Sequence, residues 1–131
     1  IKEGNIDDAA VRKDSNGVTI VLENVRFPPN SPALTESEKD KLSRIAMILK
    51  RYPERDFRVT GHTARVGEEQ TSQTLSEQRA MAVAEFLIAK GACRKTQVVT
   101  QGKGSREPAA DNDTEEGRKR NRRVEITILE N

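Results

Sequence analysis

The sequence predicts an α/β (α+β) fold. It is a two-layer sandwich in the order βαβαβ-β, with a mixed four-stranded sheet and two main helices on one face. Three observations predict it. Alternating apolar residues mark strands, as at Val18-Thr19-Ile20-Val21-Leu22 and Val124-Glu125-Ile126-Thr127-Ile128. Two stretches carry apolar residues at helical spacing: Leu42, Ile45, Ala46, Leu49 and Ala80, Val83, Ala84, Leu87. Strand and helix patterns alternate along the chain, so each strand-helix-strand unit is expected to cross over between parallel strands, with the last strand antiparallel to a neighbour.

Residues 1–13 are polar and mixed. Asp14-Ser15-Asn16-Gly17 is a hairpin-turn signal, because Asn-Gly supplies positive φ angles. A short strand around Ala9–Arg12 is therefore expected to pair with the first main strand at Val18–Leu22. Three prolines make Phe27-Pro28-Pro29-Asn30-Ser31-Pro32 a loop. Thr35-x-x-Glu38 reads as a capping box that opens the first helix, and Tyr52-Pro53 stops it. A short strand follows at Phe57–His62, then a polar loop over Ala64–Gln73. Thr74-x-x-Glu77 reads as a second capping box, with the helix running to Lys90 and Gly91 as its stop. Gln97–Gln101 is a third strand, Gly102–Gly117 is loop-rich, and Arg123–Leu129 is the last strand. Residues 1–16 form an N-terminal segment, read as an extra strand or a linker, and 17–131 form one domain.

A chain of 131 residues fits one domain with one core. It buries roughly two-thirds of its unfolded surface, enough to stand without staples. A net charge of +2, from 23 basic and 21 acidic residues, is not the footprint of a strong nucleic-acid binder. A lone Cys93 excludes an intrachain disulfide. No apolar run reaches membrane-spanning length, so membrane attachment is expected only through segments outside this chain. The chain opens at Ile1 rather than Met, and is expected to be a processed or truncated piece of a larger protein.

Arg79 lies four residues before Val83, so it borders the buried stripe of the second helix. A guanidinium there needs an acceptor to offset its desolvation. The plainer reading is a structural salt bridge, to Glu77, Glu125 or a backbone carbonyl. His62 is the only histidine, and its plainer reading is a ring bonded to the backbone of the following loop. The spacing around it lacks a metal-site pattern, and no metal or cofactor is expected. The acid pairs Glu68-Glu69 and Glu115-Glu116 are adjacent within polar stretches and do not converge as catalytic pairs. No enzyme is visible. Arg118-Lys119-Arg120-Asn121-Arg122-Arg123 carries five basic residues in six, offset by Asp111, Asp113, Glu115 and Glu116 just before it. With no aromatic interleaved for base stacking, no nucleic-acid partner is expected.

An ordered set of motifs resembles the OmpA-like C-terminal domain family from about Val18 to Leu129. It begins with Phe27, Asn30-Ser31 and Leu34, then Gly61-His62-Thr63 and Gly67. Leu75-Ser76 with Arg79-Ala80 comes next, then Gly91, Gly102, Gly104, Pro108, Asn112, Thr114 and Gly117-Arg118. Asn121-Arg122-Arg123-Val124-Glu125-Ile126 completes it. The resemblance implies a βαβαβ core plus a further strand, and a non-catalytic periplasmic domain that binds peptidoglycan at the outer membrane. It implies that the position of Arg79 takes the carboxylate of a diaminopimelate side chain. The residue after the Gly-His-Thr triplet would be an acid that takes the ammonium, and here it is Ala64. The same resemblance puts Phe27, Asn30, Thr63, Leu75 and Arg123 in the ligand site. An expected asparagine is Ser72, and an acid expected after Phe27 is Pro28.

Losing one charge-assisted hydrogen bond costs roughly 1.5–3 kcal/mol, or about ten- to a hundred-fold in affinity. Arg65 beside Ala64 disfavours an ammonium further if it points inward. The expected function is therefore wall anchoring of a larger protein, with altered or weakened stem-peptide recognition. Three routes stay open: Glu68 or Glu69 replaces the acid from the loop, the wall uses a different diamino acid, or the pocket no longer binds wall peptide. The alternative is a structural domain that keeps the fold and binds other envelope proteins.

Overall fold

A computed structural model describes residues 9–14, 17–22, 36–64 and 69–129. Its elements are β1 (Ala9–Asp14), β2 (Gly17–Leu22), α1 (Glu36–Leu49), β3 (Phe57–His62), α2 (Glu69–Ala89), β4 (Val98–Gly102), α3 (Glu115–Asn121) and β5 (Arg123–Leu129). One mixed sheet holds five strands in the order β1-β2-β5-β3-β4. The expected four strands are all present, and β1 adds an edge strand that pairs antiparallel with β2 from Ala9↔Leu22 to Asp14↔Gly17.

The last strand fills the middle of the sheet. β5 is antiparallel to both β2 and β3, so those two run in the same direction without touching. Only β3 and β4 form a direct parallel pair. The apolar face of β5 (Val124, Ile126, Ile128) joins Ile20, Leu22, Phe57 and Val59 under the two helices. Both predicted helix stripes are buried in that core, Leu42, Ile45, Ala46 and Leu49 from α1 and Ala80, Val83, Ala84 and Leu87 from α2. On the opposite face, Thr19 and Thr127 are register partners whose hydroxyls bond each other at 2.9 Å.

Polar side chains also hold the layers. Glu38 is buried on α1 with its carboxylate 3.5 Å from Lys41 Nζ; the Thr35 half of the expected capping box lies outside the described residues. Gln97 Nε2 donates to the carbonyls of Pro53 (2.9 Å) and Arg55 (3.0 Å), which ties the start of β4 to the loop before β3. Gly91 ends α2 as expected, at φ +78°, where a side chain would be strained.

Two expectations need correction. α2 begins at Glu69, five residues before Thr74, so Thr74 is an exposed residue inside the helix and not a cap. The added turn follows a polar stripe: Ser72 and Ser76 are buried, and Glu69 accepts from Ser105 N–H at 3.1 Å and from the Ser105 hydroxyl. The stretch 102–117 also contains the start of α3. Thr114 caps it by accepting from Gly117 N–H at 3.0 Å, with Glu115 and Glu116 in the first turn and Arg118, Lys119 and Arg120 in the last. That charge order suits the helix dipole.

α2 lies very close to the sheet at Ser76. A Cβ on Gly61 would collide with the Ser76 carbonyl oxygen, and one on Gly102 would lie 2.5 Å from Glu77 N. The Ser76 hydroxyl donates to Gln73 O (2.8 Å) and accepts from Gly104 N–H (2.9 Å). Because backbone cannot yield as a side chain can, Gly61→Ala is expected to cost about 1–3 kcal/mol in urea unfolding. Val99→Ala, on an exposed residue of β4, is expected to stay within about 0.5 kcal/mol. Equal midpoints for the two variants would contradict the close approach.

Candidate functional site

The antiparallel register pairs His62, at the end of β3, with Arg123, at the start of β5. Thr63 and Ala64 therefore leave β3 beside Arg122 and Arg123. The loop after β4 fixes them there, with Thr63 N–H donating to Gly104 O and Lys103 N–H to Gly61 O, both at 2.9 Å. Thr63 and Ala64 are buried, at 7% and 5% exposure. Arg79 is half-buried on α2, one turn past Ser76. Burial first, and then the charge of Arg122, hold its guanidinium below the usual arginine range. That repulsion places Arg79 in the field of Arg122, the residue just before β5.

Arg79, Thr63, Ala64 and Arg123 thus come to one end of the sheet. Leu75, half-buried one turn before Arg79, lines a cavity of about 300 Å³ with Gln70, Thr71, Thr74 and Gln78. Phe27 and Asn30 lie outside the described residues, as do Pro28, Arg65 and Glu68. Glu69 is described, and its carboxylate is engaged by Ser105, so it belongs to the α2 anchor rather than to a loop.

Arg123 is buried and mostly spent within the protein. Its Nε donates to Glu125 Oε2 and its Nη2 to Glu107 O, both at 2.9 Å. Its Nη1 and the Thr63 hydroxyl are buried with no hydrogen-bond partner among the described residues. Among the described residues the His62 ring bonds no loop backbone: both nitrogens lack a partner there, and Nε2 sits 3.7 Å from Glu125 Oε2. Burial first, then Arg123, pushes its pKa down to about 4, against the raising pull of Glu125 and Glu107.

Part of the basic run is paired within the protein. Glu115 accepts from Arg118 Nε (3.1 Å) and Arg122 Nη2 (2.9 Å), which hold its carboxyl below the usual range. Arg118 also donates to Asn112 O. Asn121, fully buried, organises the loop before α3: its Oδ1 accepts from Ala109 and Ala110 N–H, and its Nδ2 donates to Ala110 O and Asn112 Oδ1. Sequence reasoning quoted Asn121, Arg122 and Glu125 in one motif without assigning them these tasks. Among the described residues, no group of three or more His, Cys, Asp or Glu side chains is placed to hold a metal.

The single histidine makes its burial measurable. Its folded pKa of about 4 lies below the ordinary 6.5, so the unfolded chain takes the proton first. Stability is fully present above pH 6.5 and declines as the pH falls from 6.5 through 4, by up to about 3 kcal/mol. Urea unfolding across that window should show the slope, and His62→Gln should flatten it. An imidazole that titrates near its ordinary value by NMR would contradict the burial.

The OmpA family model matches residues 26–122. The chain is 38% identical over 120 residues to the probable lipoprotein YiaD of Escherichia coli, covering 92% of this chain and 54% of that protein. It is 38% identical over 104 residues to the peptidoglycan-binding protein ArfA of Mycobacterium tuberculosis, covering 79% of this chain and 32% of that protein. The chain thus spans about half of the first relative and about a third of the second. Among solved structures, the cell wall anchor of the T6SS from Pseudomonas aeruginosa superposes with a TM-score of 0.80 at 29% identity, covering 95% of this chain and 89% of that one. With the family model spanning 97 residues, from 26 to 122, this chain belongs to the OmpA family.

Proposed function

We propose that this chain is the wall-binding domain of a larger envelope protein, a non-catalytic module on the periplasmic side that attaches its parent to peptidoglycan. In this reading the binding unit is 17–131, and residues 1–16 add the edge strand β1. Arg79 carries the proposal. It is half-buried at the end of the sheet where Thr63, Ala64 and the opening of β5 meet, and its planar donor fork suits a carboxylate acceptor. A stem-peptide carboxylate is such an acceptor. The relatives named above include a peptidoglycan-binding protein and a cell wall anchor.

Ala64 alters the grip. An acid at this position would supply an acceptor for the ammonium of a diamino acid, and alanine supplies none. The wall remains a repeating polymer, so several weak sites on one parent or assembly hold firmly by avidity. A second reading has a specific observation behind it: the buried, uncharged Ala64 suits a domain that keeps the fold and has exchanged wall peptide for a protein partner.

Co-sedimentation with purified sacculi separates the two. The wall-binding reading expects retention of the unmodified chain, a drop of about ten- to a hundred-fold in affinity for Arg79→Ala, and a gain of similar size for Ala64→Asp on diaminopimelate-containing wall. Equal retention of the unmodified chain and Arg79→Ala would remove Arg79 from the site. No retention of the unmodified chain, with binding created by Ala64→Asp, would establish the second reading.

A further inference from the structure

The end of the domain away from Thr63 and Ala64 is basic. Lys50, Arg51 and Arg55 follow α1, and Lys90, Arg94 and Lys95 follow α2. The stretches 50–56 and 90–95 thus hold six cations against two acids, Glu54 and Asp56. This end lies at the start of β3 and the finish of β5, where Leu129 N–H donates to Asp56 O and Arg55 Nη1 to Leu129 O. The six residues of β3 set it about 17 Å from His62.

A cavity of about 310 Å³ lies between the two helix ends. Lys50 and Arg94 line it with Pro53, Ala92, Cys93 and Gln97, and no carboxylate does. Gln97 is buried and joins the two basic stretches. Its Nε2 donates to the carbonyls of Pro53 and Arg55, and its Oε1 accepts from Arg94 N–H at 2.8 Å. Gly91, at φ +78°, leaves room beside it: a Cβ there would lie 3.8 Å from Lys50 Cε, so the Lys50 stem lies against the stop of α2. Two cations from different helices therefore converge on one cavity.

The plainer reading is that lysines after a helix complement its dipole. It covers Lys50 and Lys90, but Arg94 and Lys95 lie beyond the Gly91 stop. Backbone N–H groups of residues 50–52 already close the carbonyls of Ala46, Ile48 and Leu49, and those of residues 90–92 close Phe86, Leu87 and Ile88. No ion pair among the described residues engages Lys50, Arg94 or Lys95. Arg51 and Glu54 are already engaged, Lys90 lies over the Phe86 ring, and Asp56 does not line the cavity.

We infer that this cavity binds the phosphate group of a small ester or of a lipid headgroup. Arg94 presents a fork to two phosphate oxygens, Lys50 adds a point charge, and Lys90 and Lys95 attract the anion from outside the cavity. The volume exceeds what a bare phosphate fills, and Pro53 and Ala92 offer the organic part an apolar wall. The site lies at the opposite end of the sheet from Arg79 and does not depend on the wall-binding reading.

Titrations of sn-glycerol 3-phosphate, acetate and glycerol into the unmodified chain, followed by amide NMR shifts, test it. The ester is expected to move the amides of Gly91, Ala92, Cys93 and Arg94 saturably and to bind about ten-fold or more tightly than acetate, with no shift from glycerol. Its affinity should rise several-fold from pH 5 to 7.5, as a phosphate monoester gains its second charge near pH 6. It should fall as salt is raised from about 0.05 to 0.2 M. The double variant Lys50→Gln, Arg94→Gln, at two exposed positions, is expected to lose about ten-fold or more in affinity with an unchanged thermal midpoint. Lys119→Gln, exposed on α3, removes a charge elsewhere and should change nothing. Co-sedimentation with phosphatidylglycerol and phosphatidylcholine vesicles separates the sources. Ester binding together with retention on phosphatidylglycerol alone, lost in the double variant, assigns a lipid headgroup; ester binding without vesicle retention assigns a soluble ester. No saturable shift with the ester, an equal effect of Lys119→Gln and the double variant, or vesicle retention without ester binding overturns the inference.

Discussion

The close approach of α2 to the ends of β3 and β4 is the constraint on which the rest depends. Gly61, Gly102 and Gly104 surround Ser76 with backbone rather than side chains, and a Cβ at any of the three would meet α2. The Ser76 hydroxyl then serves both sides, donating within the helix and accepting from Gly104. Ser105 and Glu69 close the same contact two turns earlier. This seam fixes the rotation of α2 about its own axis. That rotation buries Ala80 and Val83 and leaves Arg79 half-exposed at the edge of the core.

The arginines around the site built on this seam are paired within the protein. Arg118 and Arg122 are compensated by Glu115, and Arg123 by Glu125 and the Glu107 carbonyl. Burial and the neighbouring Arg122 both act against the charge on Arg79. Such a guanidinium gains more from a ligand carboxylate than a fully solvated one, because less water is displaced when the pair forms. The neutral His62 beneath, held down by burial and by Arg123, adds no further positive charge at neutral pH.

The core was legible because its signals are local. The stripes of α1 and α2 and the alternation of β2 and β5 appear as spacings of apolar residues, and the structure buries them as read. The start of α2 was not legible, because its inward face is Ser72 and Ser76, which carry no apolar period, and Ser76 finds its partner in a distant glycine loop. Thr74 imitated a cap because a capping box is a four-residue pattern that the interior of a polar helix can also satisfy. α3 had its cap and charge order in plain view at Thr114, Glu115 and Arg118, but its length of seven residues is too short for a periodic signal. The insertion of β5 between β2 and β3 depends on tertiary pairing, and no local pattern encodes it. At the site, Arg79 stood out by its position beside the stripe, and Ala64 only against the family pattern. The Thr63 hydroxyl and Arg123 Nη1, without partners among the described residues, emerge only when burial and partners are known together.

The central claim is that Arg79 receives a carboxylate of a wall peptide at the end of the sheet. A crystal structure of the chain with a bound stem tripeptide tests it most directly. The account predicts a peptide carboxylate oxygen about 2.7–2.9 Å from the Arg79 guanidinium, with Thr63 lining the same contact. A peptide seated elsewhere, or seated here with Arg79 turned onto a carboxylate of the protein itself, would contradict it.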